Sequence, residues 1–200
     1  MAEQTVFIVD DDEAVRESLA ALLGAEGFVP LAFASAEAFL AAEPDQAAGC
    51  LIADIHMPGL SGRELQQELR HRDVGLPTII ITGQGDVPKA VAALKAGAAD
   101  FLEKPYSVEA LLKAVREALD REGRMRRRLA AARDVRARLE ALSPREREVM
   151  DLMVQGHPNK VIGTRLDIST RTVENHRAKV MEKMQCDHLP ALIHTILGLG

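Results

Sequence analysis

The chain is 200 residues long, 47% hydrophobic and poor in aromatics, with a net charge of −5, enough for one large domain or two modest ones with separate cores. Its two distant cysteines, Cys50 and Cys186, exclude a disulfide framework or a cysteine-ligated zinc site, and no apolar run reaches membrane-spanning length, so a cytoplasmic protein without a membrane partner is expected. The charge is divided unevenly: residues 1–119 carry 19 acidic against 9 basic side chains and residues 120–200 carry 11 against 16, which suits a metal- or phosphate-handling front and a polyanion-binding back.

Residues 5–9, 28–33, 50–53, 78–81 and 99–102 are short apolar runs of the kind buried on both faces of a parallel sheet. Between them apolar side chains recur near every 3.6 residues, as at Ala14, Val15, Leu19, Leu22 and Leu23 and again at Val87, Ala90, Val91 and Leu94. Gly27, Gly75 and Gly97 mark stops, and Pro77 and Pro105 punctuate the fourth and fifth strands. Five strand–helix units with right-handed crossovers predict an α/β fold, a doubly wound five-stranded parallel sheet with helices on both faces, over residues 1–120.

Residues 121–141, rich in arginine and alanine, predict a helical linker continuing from the fifth helix. Met125, Leu129, Ala132, Val135 and Leu139 recur three or four apart, so the linker is either a solvated connector or a self-pairing stripe. From Ser143 onwards every segment is helical. Ser143-Pro144-x-Glu146 has the order of an N-cap, an N1 proline and an acidic first turn, and breaks fall at Gly156 and Pro158 and over residues 167–169. A last amphipathic stretch covers residues 189–197, giving a second, all-α domain of four helices over residues 142–200.

In a doubly wound sheet, ligands bind beyond the C-terminal strand ends, beside the switch in strand order. Asp10, Asp11 and Asp12 follow the first strand, Asp54 ends the third, Thr82 ends the fourth and Lys104 follows the fifth. Carboxylates brought together there repel unless a cation intervenes, and a hard divalent ion such as Mg²⁺ resolves that conflict. Such an ion would bridge Asp54, as nucleophile, and an incoming phosphoryl group, while Lys104 and the Thr82 hydroxyl answer phosphate oxygens.

VDDDEAVR, DIHMPGLSG, ITGQGD and FLEKP, in that order on those strand ends, resemble the receiver family of two-component response regulators, with its flavodoxin-like (CheY-like) fold. The resemblance implies that Asp54 is the phosphoacceptor for a sensor histidine kinase. It also implies that Asp11, Asp54 and the His56 backbone carbonyl hold Mg²⁺, with Mn²⁺ as a substitute, that Asp10 acts through water, and that Lys104–Pro105 is a cis peptide. The His56 side chain itself is read as an exposed loop residue. Phe101, three residues before Lys104, is by the same resemblance the aromatic that rotates inward as Thr82 moves to the phosphate; plain core packing is the alternative, and Tyr106 could pack at the same face.

NKVIGTRLDISTRTVENHRAKVMEKM reads as helix, tight turn, helix, with residues 159–166 first and Ser169 or Thr170 capping the second. Val173, Val180 and Met184 share the inward stripe with Met181 at its margin, leaving Arg171, Glu174, Asn175 and Ala178 outward. Glu174, Asn175 and Ala178 suit base edges, Arg171, Arg177, Lys179 and Lys183 suit phosphates, and Thr172 lies on the same DNA-binding helix.

LSPREREV, NKVIGTRL and STRTVENHRAKVMEKM resemble the LuxR-type DNA-binding domain, and together with the receiver they resemble the NarL/FixJ class; GDVPKAV and RTVENHRAKVMEKM point to its FixJ branch. The resemblance implies double-stranded promoter DNA as ligand, a phosphorylation-dependent homodimer, and transcription regulation, most often activation, with RNA polymerase. The last helix supports dimerisation by that resemblance, or simply packs in the core. Gly163 stands where this family usually has alanine, at a helix cost of about 1 kcal/mol.

Two other functions share parts of this pattern. An aspartyl phosphatase needs an acid–base carboxylate two residues after its nucleophile, where this chain has His56. A phosphate sink or protein-interaction module would lack sequence-selective DNA binding by residues 142–200.

Overall fold

The structure, a computed structural model, describes residues 4–43, 48–83 and 98–198. Five strands, β1 (Thr5–Val9), β2 (Val29–Phe33), β3 (Cys50–Asp54), β4 (Thr78–Thr82) and β5 (Asp100–Glu103), lie parallel in the order β2-β1-β3-β4-β5. β3 and β4 are buried from end to end, whereas the edge strand β2 is half open.

Alternation along the strands sends side chains to two cores. Val6, Ile8, Ile52, Ile79 and Ile81 meet Leu19 and Leu23 of α1 (Glu13–Ala25) and Leu111 and Val115 of α4 (Val108–Glu140). Phe7, Val9, Leu51 and Ile80 meet Phe39 of α2 (Ala36–Ala41) and Leu65 and Leu69 of α3 (Gly62–His71). Phe39 is gripped edge-on by Phe7 and Phe33, at centroid distances of 5.5 and 5.3 Å. The doubly wound sheet is as read from the sequence, with a residue of shift at β2 and β5. The helix read over residues 87–94, the stop at Gly97 and the GDVPKAV segment lie outside the described residues.

The chain divides into two compact units, Met1–Met125 and Arg126–Gly200, and α4 continues through Gly123. In the second unit α5 (Pro144–Val154), α6 (Asn159–Leu166), α7 (Thr170–Met184) and α8 (Leu189–Leu197) enclose Val149, Met150, Met153, Ile162, Val173, Val180, Met184 and Leu192. Leu192 is fully buried and Leu189 and Ile196 pack beside it, so core packing already accounts for much of α8's apolar face.

Val135 and Leu139 also pack against this core. That narrows the self-pairing alternative: two of the five members are spent inside the unit, leaving Met125 and Leu129, at 50% and 54% exposure, as its large exposed side chains.

The N-caps follow the sequence. Ser143 and Glu146 form a reciprocal capping box with Pro144 in the first turn, and Ser169, not Thr170, caps α7 through the Thr172 N–H. Gly163 is not the simple helix weakness its propensity suggests. A Cβ there would stand 2.8 Å from the Ile168 carbonyl oxygen, because the turn folds back until Ile168 N–H bonds Gly163 O at 3.0 Å.

Candidate functional site

β1 and β3 are hydrogen-bonded neighbours at the reversal of strand order, with Val9 opposite Ala53, so Asp10 and Asp54 emerge side by side. Both are buried, at 2% and 7% exposure. Asp54 Oδ1 accepts the His56 N–H at 2.8 Å, and Asp54 Oδ2 is ion-paired with Lys104 Nζ, which also stands 3.6 Å from Asp10 Oδ2. The Lys104–Pro105 bond is cis, as anticipated, and the Lys104 N–H is held by the Thr82 carbonyl at 2.8 Å. Thr82, buried at the end of β4, completes the wall.

Electrostatics mark the pocket as strained for anions. Burial holds the Asp10 carboxyl above its ordinary range, and neighbouring Asp54 and Asp11 add to this against the opposing Asp12 N–H and Lys104 charge. Burial works to lower the Lys104 ammonium, but its bond to Asp54 and the charges of Asp54 and Asp10 outweigh it and hold the value above ordinary. Asp10 Oδ1 takes the Asp12 N–H at 2.9 Å, whereas buried Asp10 Oδ2 has no hydrogen-bond partner. A buried carboxylate oxygen without a donor, beside a second carboxylate, fits a hard cation. Among the described residues no three acidic, histidine or cysteine side chains converge on one point; two carboxylates with backbone and water oxygens are a donor set of the type Mg²⁺ accepts.

The structure thus brings Asp10, Asp54, Thr82 and Lys104 to one end of the sheet. Asp11 is exposed beside them, Asp12 caps α1 through the Ala14 N–H at 2.9 Å, and the His56 side chain is exposed. Phe101 is half-buried against the core on the Phe39 side of the sheet, while Tyr106 packs against the opposite core. The expectation that Tyr106 shares the Phe101 face is therefore corrected, since the two sit on opposite sides of the sheet. An open concavity lined by Ile55, His56, Ser61, Arg63 and Glu64 lies beside Asp54.

Two supporting residues escaped the sequence reading. Arg16, one helical turn into α1, donates from Nη1 to the Asp10 carbonyl at 2.8 Å; its only signal was a cation shortly after three aspartates. Gly62 opens α3 directly behind the phosphoacceptor candidate, and a Cβ there would collide with the Asp54 carbonyl oxygen and stand 3.0 Å from its carbon. A glycine just after a Ser cap, where helices favour other residues, was the available signal.

In the second unit α6, a turn with Asp167 at φ 52°, and α7 form the helix-turn-helix. Val173, Val180 and Met184 are buried, and Arg171, Glu174, Asn175, Ala178 and Lys179 are exposed along the other side, with Thr172 and Arg177 half-exposed. Thr172 joins the cap, its hydroxyl 2.8 Å from Ser169 Oγ. Lys183, expected to meet a phosphate, is half-exposed and has partners within the unit. Its ammonium is committed within the unit, to Glu146 at 2.7 Å and to the Ala141 carbonyl at 3.0 Å.

Comparison with known proteins agrees with both halves. The family model "Response regulator receiver domain" matches residues 6–116, and "Bacterial regulatory proteins, luxR family" matches residues 140–196. The chain is 48% identical to the transcriptional regulatory protein FixJ of Rhizobium meliloti, across 100% of this chain and 98% of that one. It is 41% identical to the response regulator protein TmoT of Ectopseudomonas mendocina, across 96% and 87%. Among solved structures, the response regulator StyR superimposes with a TM-score of 0.91 at 39% identity, covering 98% of this chain and 99% of that one. Full-length FixJ from B. japonicum superimposes with a TM-score of 0.63 at 42% identity, covering 100% and 98%.

Proposed function

The chain belongs to the two-component response regulators of the FixJ class, transcription regulators that join a receiver to a LuxR-type helix-turn-helix, and from this we propose that phosphorylation of Asp54 controls promoter binding by α7. The observation that carries it is the pairing of Asp10 and Asp54 at the sheet's switch point with Lys104 bonded to Asp54. We place the receiver at residues 1–120, a helical connector at residues 121–141, whose second half packs on the helix-turn-helix core, and the DNA-binding domain at residues 142–200.

Receivers as a family use Mg²⁺ for phosphotransfer and take the phosphoryl group from a sensor kinase. Here a carboxylate oxygen of Asp54 attacks the phosphorus of a phosphohistidine. The O–P bond forms as the P–N bond breaks, and the imidazole leaves with the electron pair. Lys104 holds one phosphoryl oxygen by charge and the Thr82 hydroxyl donates to another. Asp11, Asp54 and the His56 backbone carbonyl would hold the metal, with Asp10 acting through water and Mn²⁺ as a substitute. When bound, Mg²⁺ neutralises the carboxylate and phosphoryl oxygens.

As Thr82 is drawn to the phosphate, Phe101 fills the space it vacates, and the altered surface around β5 favours a homodimer. On DNA, Glu174, Asn175 and Ala178 meet base edges, and Arg171, Thr172, Arg177 and Lys179 meet the backbone, with RNA polymerase recruited next to the dimer. A DNA partner places the protein in the cytoplasm, and no helix among the described residues is long and apolar enough to cross a membrane.

The test is labelling with phosphoramidate and Mg²⁺, read by intact mass, followed by selection from a random duplex pool. Asp54→Asn is expected to fold and stay unlabelled, and the labelled wild type to enrich one sequence family. Labelling that persists in Asp54→Asn, or a pool left unenriched, refutes the corresponding half of the proposal.

A further inference from the structure

The second unit starts at Arg126, so the last part of α4 belongs with the helix-turn-helix. It is tied to the final turn of α7. Arg138 Nη1 donates to the Met184 carbonyl at 3.2 Å, Lys183 Nζ donates to the Ala141 carbonyl at 3.0 Å, and Val135 and Leu139 pack on the shared core. The same stretch of helix is strongly basic. Residues 126–140 hold six arginines against two acids, and Arg127, Arg128, Arg133 and Arg136 are exposed and without an acidic partner among the described residues. Arg128 lies two turns before Val135 on the same helical row, about 10 Å along the axis.

We propose that Arg127, Arg128, Arg133 and Arg136 form a second DNA contact, a sequence-independent grip on the phosphate backbone flanking the bases read by α7. The inference rests on the reading of α7 as the DNA-contacting helix and adds a surface outside it. Unpaired guanidinium groups arrayed around an element bonded to α7 are complementary to a polyphosphate backbone running on from the groove that α7 occupies. A second copy of the chain fits less well. The large apolar side chains left for pairing are Met125 and Leu129, and a like helix laid on them brings arginines of one sign together.

The experiment compares full-length wild type with Arg127→Gln/Arg128→Gln and Arg133→Gln/Arg136→Gln. The probes are a duplex recovered by the wild type from a random pool, trimmed to the selected bases, and the same duplex with scrambled flanks. On the flanked duplex each double variant is expected to bind several-fold more weakly, with the slope of log affinity against log salt smaller by about 1 for every phosphate no longer neutralised. On the trimmed duplex the variants are expected to match wild type, and the corresponding lysine variants to retain flanked binding, since a phosphate needs only the charge.

Unchanged affinity and salt slope on the flanked duplex overturn the proposal. So does an equal weakening on both lengths, or a change in self-association by sedimentation without a change in DNA binding, which would assign the face to a second copy. A wild type that binds no duplex at all fails at α7 instead, which separates the two readings.

Discussion

Replacing Glu146 with glutamine tests how the recognition helix is held. The Glu146 carboxylate is buried, accepts the Ser143 N–H at 2.8 Å and takes Lys183 Nζ at 2.7 Å. The Lys183 hydrogen bond is the chief reason its carboxyl falls to about 2, with the Ser143 backbone bond next and burial opposing. A fall from 4.5 to about 2 corresponds to a ceiling of about 3 kcal/mol. The Lys183 side chain is 37% exposed, so solvent screens the pair, and glutamine keeps an acceptor for the cap; a loss of about 1–2 kcal/mol is expected at neutral pH.

The sign follows from the depressed value. The stabilisation is fully present above pH 4.5, declines as pH falls through the window down to about 2, and is nearly gone at its lower end. The assay is hydrogen exchange with mass spectrometry on peptides from α5 and α7 of the full chain, wild type against Glu146→Gln, at several pH values. A variant as protected as wild type at pH 7, or a difference that persists unchanged to pH 2, would refute the reasoning.

Gly62→Ala forces a methyl against the Asp54 carbonyl, so phosphoramidate labelling should slow markedly while the second unit's exchange pattern stays put; normal labelling would show that α3 can retreat freely. Gly163→Ala should fail to deliver the roughly 1 kcal/mol that helix propensity offers, because its Cβ meets the Ile168 carbonyl; calorimetric unfolding that moves up by the full amount would contradict this. Glu174→Ala should relax base preference in a pool selection, whereas Lys179→Ala should weaken all sequences alike and lower the salt slope by about 1; identical selection profiles for Glu174→Ala and wild type would remove Glu174 from the base-reading set.

Where local chemistry is strong, the linear chain already carries the answer. Short apolar, β-branched runs bounded by turn residues suit strands buried on two faces, which made β3 and β4 legible, and Ser143-Pro144-x-Glu146 contains every atom its cap needs within four residues. Aspartates, a threonine and a lysine at successive strand ends are equally local, so Asp10, Asp54, Thr82 and Lys104 could be named before their neighbours were known.

Tertiary structure decided whatever depends on which surface arrives from elsewhere. Lys183 has the periodicity of a phosphate contact, yet Glu146, 37 residues away, claims its ammonium. Val135 and Leu139 have the spacing of a dimer seam and were consumed by the core around Met153 and Val180. Arg16 on the Asp10 carbonyl and Gly62 behind Asp54 have meaning only once the sheet brings a carbonyl against each. Residue type and period determine which face of an element is apolar or charged; whether that face is met by solvent, core or partner is a property of packing between segments distant in the chain.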